Sequence, residues 1–213
     1  MSLSSTESAV HAAVPDTVSL QGERRSQERT VSVLINAGVA QGERNGLCRV
    51  RNLSDNGMMI ETHIPLVVGH EASFQLRTGR TIVGSVRWSK DNRAGVALEK
   101  DGVEAVLSNR AHADAAAGGG AYPRFDRLSI ATVISGAIRS RCELMVISLA
   151  DAHLAGLPAG LPQGPVTVAI RGLEDRLARL VRIDENRVLA SFAQPLNFHA
   201  LEDWLDATMP ATD

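Results

Sequence analysis

The sequence predicts a mainly β protein built from two copies of one small module, each copy ending in a short helix. Three observations carry that. The apolar runs are short, rich in β-branched residues and separated by turn signals. A tract of small residues, "ADAAAGGGAYP" at 113–123, parts the runs into two sets. The two sets can be laid over one another with strands in the same order and at similar spacing, although their identity is low.

The elements follow in order. Residues 1–20, "MSLSSTESAVHAAVPDTVSL", read as a disordered arm; they lack the basic and apolar regions of a signal peptide. "VSVLINAGV" from position 31 is a strand by its β-branched content. "EASFQLRT" alternates, with Ala72, Phe74 and Leu76 on one face and Ser73, Gln75 and Arg77 on the other. "RTGRT" (77–81) supplies the glycine of a hairpin turn. The return run puts Ile82, Gly84, Val86 and Trp88 on a common face, which assigns Trp88 to the core, with a rim position as the other placement. "DNR" turns the chain into "AGVALE". About six such strands fit a small barrel or sandwich. "DGVEAVLSNRAHA" (101–113) then reads as a short helix capped by Asp101. The second set holds "LSIATVISG", "CELMVISL", "VTVAI", "LARLVRI" and "RVLASFA". A last helix, "NFHALEDWLDA", has Asn197 as cap and Phe198, Leu201, Trp204 and Leu205 on one face. That face closes its own barrel or, as the other reading, meets a partner.

Composition excludes several classes. The chain has 213 residues, 44% of them apolar and only 3% aromatic, so its core rests on Val, Leu, Ile and Ala. A net charge of −2 does not fit a general nucleic-acid or membrane binder. Cys48 and Cys142 lie far apart and outside any CxxC pattern, as expected of reduced thiols. No stretch reaches the roughly 18 apolar residues of a membrane span, so the expectation is a soluble, cytoplasmic protein. The six histidines lack metal-ligand spacing, with His63 and His70 separated by a proline, and no metal is expected. Ser54 has no nucleophile-elbow context, there is no Walker sequence, and nothing argues for an enzyme.

Two polar clusters stand out in the first set. One is "RSQER", with Arg25 and Arg29 four residues apart and Arg24 alongside; the other is "NLSDNG", Asn52 to Gly57, between two apolar runs. Guanidinium forks pair with phosphates and stack on bases, an Asn reads donor and acceptor edges, and a glycine admits backbone close to a ligand. The groups suit a phosphate-bearing purine. RxxxR before a β module, followed by (D/N)xSxxG, resembles the PilZ domain, and "VVGHEASFQL … IVGSVRWSKDNRAGVALE" resembles that family's second half. The resemblance covers roughly residues 21–100. It implies a six-stranded barrel binding cyclic di-GMP, hence two small six-stranded PilZ-like β-barrels, each followed by a short helix. By analogy Arg25 and Arg29 grip phosphates and guanine faces, Asn52 and Ser54 contact guanine and phosphate, Gly57 allows a tight turn, and Arg24 stands where ligand stoichiometry is tuned.

The domain division is then a disordered arm (1–20), a PilZ domain with intact motifs (21–112), a linker (113–121) and a degenerate PilZ-like domain (122–213). In the last, "YPRFDRL" aligns Arg127 with Arg29 and Pro123 with Arg25, leaving Arg124 out of step. Val146 stands for the Asn and Asp151 for the Gly, and only Ser148 remains. A carboxylate there repels a phosphodiester, so this module is assigned to packing, a protein partner or a homodimer. The expected function is a cyclic di-GMP receptor that couples binding to a conformational change and partner regulation. The alternatives are a ligand-independent protein–protein adaptor and, more weakly, a binder of single-stranded nucleic acid, which the scarcity of aromatics opposes.

Overall fold

A computed structural model describes residues 31–115, 122–160, 162 and 164–209, with backbone only for 109–115. Arg24, Arg25, Arg29 and the expected N-terminal arm lie outside the described residues.

The first barrel comprises β1 (Val31–Gln41), β2 (Arg44–Ser54), β3 (Gly57–Glu61), β4 (Glu71–Gln75), β5 (Thr81–Lys90) and β6 (Arg93–Ala97), followed by α1 (Lys100–Ala115). The second comprises β7 (Phe125–Ser135), β8 (Ile138–Ile147), β9 (Asp151–Ala155), β10 (Val166–Ile170), β11 (Arg176–Arg182) and β12 (Arg187–Phe192), followed by α2 (Phe198–Ala207). Both barrels are closed and antiparallel, and both run in the cyclic order first, second, third, sixth, fifth, fourth strand. The fold class read from the sequence is the one observed.

Alternation builds each core. Ala72, Phe74 and Leu76 are buried as their spacing requires, with Val39, Val50, Ile60 and Val86 around them. Leu144, Ile147, Leu154 and Val168 fill the second barrel, and α2 closes it with Phe198, Leu201, Trp204 and Leu205. Asn197 caps that helix, its side chain accepting from the backbone of His199 and Ala200. Asp91 and Asn92 both take positive φ, 51° and 59°, in the tight β5–β6 turn, a conformation that Asn and Asp tolerate.

Four details depart from the sequence expectations. The strand β9, "DAHLA", has no counterpart among the strands expected from the sequence, because five residues with an Asp and a His carry almost no β signal. α1 begins at Lys100, where the Glu99 carbonyl accepts from Gly102 and Val103, so Asp101 sits in the first turn and is not the cap. The same helix continues through Ala115, three residues into the expected linker; alanine is the best helix former. The fourth departure is that α2 does more than close its own barrel, since it also lies against β2.

That contact joins the two barrels. Leu47 of β2 belongs to the second core, and Met209 packs against the first. The Arg49 guanidinium lies 4.1 Å from the Phe198 ring centre. Glu202, buried on α2, accepts the backbone N–H of His63 at 3.3 Å and faces Nδ1 of His199 at 3.3 Å. His63 Nδ1 stands 3.3 Å from Asp203 Oδ1. Burial raises the Glu202 pKa above the ordinary carboxylate value, against the pull of the two histidines.

The strand pairing also fixes how the repeats correspond. Ala37 faces Cys48 in one barrel and Ala131 faces Cys142 in the other, so the two cysteines are the same position. Both are buried, and burial raises both thiol pKa values, that of Cys142 to about 11. β1 and β7 have register shifts in the same place, at Val33–Leu34 and Arg127–Leu128. Arg127 therefore corresponds to Val33 and not to Arg29, which corrects the sequence alignment. Its side chain is 8% exposed and serves the junction, donating from Nη2 to the Asn45 carbonyl at 3.0 Å and to Asn45 Oδ1 at 2.8 Å.

Candidate ligand-binding site

β2 ends at Ser54 and β3 begins at Gly57, with Asp55 and Asn56 turning the chain between them. The Ser54 hydroxyl closes this turn, donating to the Gly57 carbonyl at 3.3 Å. Leu98 N–H donates to the Asn56 carbonyl at 2.9 Å, which ties the turn to the end of β6. Gly57 is not among the residues with positive φ, so the turn itself does not demand glycine. The demand comes from packing: a Cβ there would meet the Val96 carbonyl oxygen at 2.4 Å. That corrects the role expected for Gly57 from a turn former to a point of close strand approach.

Across the barrel wall runs one row of paired residues, Ser32–Asn52–Met59–Gly95–Trp88. Over this row opens a cavity of about 400 Å³ whose lining includes Asn52, Ser54, Gly57, Arg87, Trp88 and Gly95. The Ser32 hydroxyl lies 3.5 Å from Asn52 Oδ1. Because Ser32 pairs with Asn52, the chain enters β1 beside the cavity. The structure thus brings Asn52, Ser54 and Gly57 together.

Trp88 is the residue that sequence reasoning misplaced. A register shift between Val86 and Trp88 breaks the alternation, and the indole emerges 44% exposed on the outer face. It lies across Gly95, where a Cβ would fall 2.0 Å from the indole nitrogen. The signal was present in the glycine opposite. The extra residue of the bulge is Arg87; Val86–Val96 and Leu180–Ala190 have the same length, because the β11–β12 turn is one residue longer than the β5–β6 turn.

The family comparison falls on this part of the chain. The PilZ domain model matches residues 23–110. Residues 23–110 are a PilZ domain. No curated protein sequence matches the chain. Among solved structures, the Bacillus subtilis inhibitor of motility (MotI/DgrA) is 14% identical, with 83% of this chain and 97% of that one covered and a TM-score of 0.34. The Borreliella burgdorferi PlzA protein, solved in complex with c-di-GMP, is 10% identical, with coverages of 85% and 94% and a TM-score of 0.36. Escherichia coli YcgR, also solved with c-di-GMP, is 11% identical, with coverages of 81% and 83% and a TM-score of 0.29.

The second barrel has the same topology as the PilZ barrel and a different surface. Its matching row reads Asp126–Val146–His153–Leu189–Val181. Asn52 has become Val146, and the Gly95–Trp88 pair has become Leu189–Val181. At the turn, Ser148 Oγ accepts the N–H groups of Ala150 and Asp151 at 3.1 and 3.0 Å. Asp151 is held by both ends of the Arg124 fork, at 3.3 and 3.0 Å. Arg124, out of step in the sequence alignment, meets the carboxylate that replaced glycine. Among the described residues no group of His, Cys, Asp and Glu is arranged to hold a metal ion, and no helix is long and apolar enough to cross a membrane.

Proposed function

We propose that this chain is a cyclic di-GMP receptor whose PilZ barrel holds the nucleotide. The observation that carries the reading is the cavity over Asn52, Ser54 and Gly57, in the stretch that matches the family and at the point where the chain bearing Arg24, Arg25 and Arg29 enters β1. In this reading Arg25 and Arg29 close over phosphates and guanine faces. Asn52 supplies a base-reading amide, Ser54 a hydroxyl, and Gly57 a wall without a side chain. Trp88 adds a stacking surface, and Arg24 sets how many nucleotides are taken up.

β2 is the element suited to couple binding to the rest of the chain. One end carries Asn52 and Ser54; Leu47 and Arg49, toward its start, pack against the second barrel and α2. A ligand that favours one placement of β2 shifts the barrel–barrel contact by its differential affinity for the two placements, and by no more. Residues 21–112 and 122–213 are then the sensing and responding units, and a protein partner reads the change at the second unit.

Calorimetric titration of the full chain with cyclic di-GMP tests the reading. Binding in the micromolar range is expected, reduced by Arg25→Ala and by Arg29→Ala. No heat at tens of micromolar, or undiminished binding by both variants, refutes it. A partner recovered equally with and without nucleotide points to the adaptor function instead.

A further inference from the structure

Arg87 is the extra residue of the β5 bulge, exposed at the surface. It lines the 400 Å³ site cavity and also a neighbouring cavity of about 520 Å³ that follows β5 to the start of α1. Among the described residues lining the site cavity it is the only charged one; the rest are Asn, Ser, Gly and apolar side chains. Its guanidinium makes no hydrogen bond or ion pair with the described residues. The neighbouring cavity is different in charge, since Glu71, Glu99 and Asp101 line it together with Arg80 and Arg87. An anion is therefore favoured on the site side of Arg87 and opposed on the other.

The second barrel is the internal comparison. β11 and β12 pair without interruption from Ala178 through Arg182, so no residue corresponds to Arg87. The barrel that lacks the Asn, the Gly and the Trp of the site lacks this arginine too. A bulge in one strand re-aims side chains locally, and here it places two at once, Trp88 over Gly95 and Arg87 at the cavity rim.

We infer that Arg87 is a ligand-binding residue, a guanidinium on the β5 wall that takes a phosphate of the nucleotide. The inference rests on the reading of the PilZ barrel as a cyclic di-GMP receptor. A ligand with two phosphodiesters presents more anionic oxygen than one arginine-bearing segment needs to cover. A fork fixed on the barrel wall supplies a second direction of approach.

The test is calorimetry of the full chain with cyclic di-GMP at two salt concentrations, for wild type, Arg87→Ala, Arg87→Lys and Arg87→Glu. Loss of one charge-assisted bond weakens binding roughly 10- to 100-fold in Arg87→Ala. Arg87→Lys recovers part of it, because charge remains without the fork, and Arg87→Glu binds weakest. The salt dependence of the affinity is shallower in Arg87→Ala, and its thermal midpoint stays at the wild-type value because the residue is exposed. Wild-type affinity in Arg87→Ala overturns the inference alone, as does an affinity loss accompanied by a matching fall in thermal midpoint. A wild-type chain that binds no cyclic di-GMP overturns the receptor reading and this inference with it.

Discussion

Gly95→Ala is a single methyl aimed at the proposed ligand site without touching any residue of the family motifs. Its Cβ would lie 2.0, 2.5 and 2.6 Å from Nε1, Cε2 and Cδ1 of Trp88. Ordinary carbon contacts begin near 3.5 Å, so the indole must move by about 1.5 Å. Trp88 is 44% exposed and can swing outward. The off-rotamer cost of about 0.5–1.5 kcal/mol is largely offset by about 0.5–1 kcal/mol for removing a strand glycine. Stability should stay within about 1 kcal/mol of wild type. Binding should not, because a stacked base contributes about 1–3 kcal/mol. Cyclic di-GMP affinity is expected to fall roughly 5- to 150-fold, as in Trp88→Ala. The double variant should be no weaker than either single one, since both remove the same contact. The chain has two tryptophans, and Trp204 donates to the Arg171 carbonyl at 2.8 Å, so two indole N–H resonances separate the site from the second barrel. Only the Trp88 signal should shift in Gly95→Ala, and the Trp88 signal should shift on titration. Wild-type affinity in Gly95→Ala, with Trp88→Ala weakened, would refute the stacking surface.

Two further predictions concern the junction. Asn45→Ala removes an acceptor from the buried Arg127 guanidinium and should cost about 1–3 kcal/mol in urea unfolding, whereas Arg127→Met, which removes the charge as well, should cost less; the reverse order would show that Asn45 does not hold this arginine. Glu202 has a pKa raised by burial, so the folded chain keeps a proton that the unfolded chain releases near pH 4.5. Its contribution is greatest below that value and is lost as pH rises through the folded-state pKa; Glu202→Gln should flatten this part of the stability–pH curve, and an unchanged slope would assign it to other groups.

The strand plan was legible because alternation and turn chemistry are local. Phe74 and Leu76 declare their face within one run, and Asn197 declares a helix start within three residues. β9 was not legible: "DAHLA" is a strand only because β8 and β12 offer it edges to pair with. The motif residues Asn52, Ser54 and Gly57 were legible as a group, but the reason for Gly57 was not, because the Val96 carbonyl that forbids a side chain lies 39 residues away in sequence. Trp88 was misread for a related reason. Period-two counting assumes an unbroken ladder, and one inserted residue reverses every side chain beyond it.

The repeat turns these separate observations into one comparison. Both barrels keep most inner positions, down to a buried cysteine opposite an alanine. They also differ along one outer row and its adjoining turn. In the first barrel that row is open, with Gly95 bare beneath Trp88 and a cavity over Asn52. In the second, Leu189 and Val181 carry full side chains, and Arg124 neutralises Asp151 where the first barrel has Gly57. Arg127 shows the same division from inside. At the position where the first barrel buries Val33, the second buries a guanidinium whose partner, Asn45, belongs to the other barrel. A core valine can be exchanged for a buried charge only where its hydrogen bonds are supplied. The second barrel is thus built to be completed by the first, with Asn45 supplying the acceptors for its buried guanidinium.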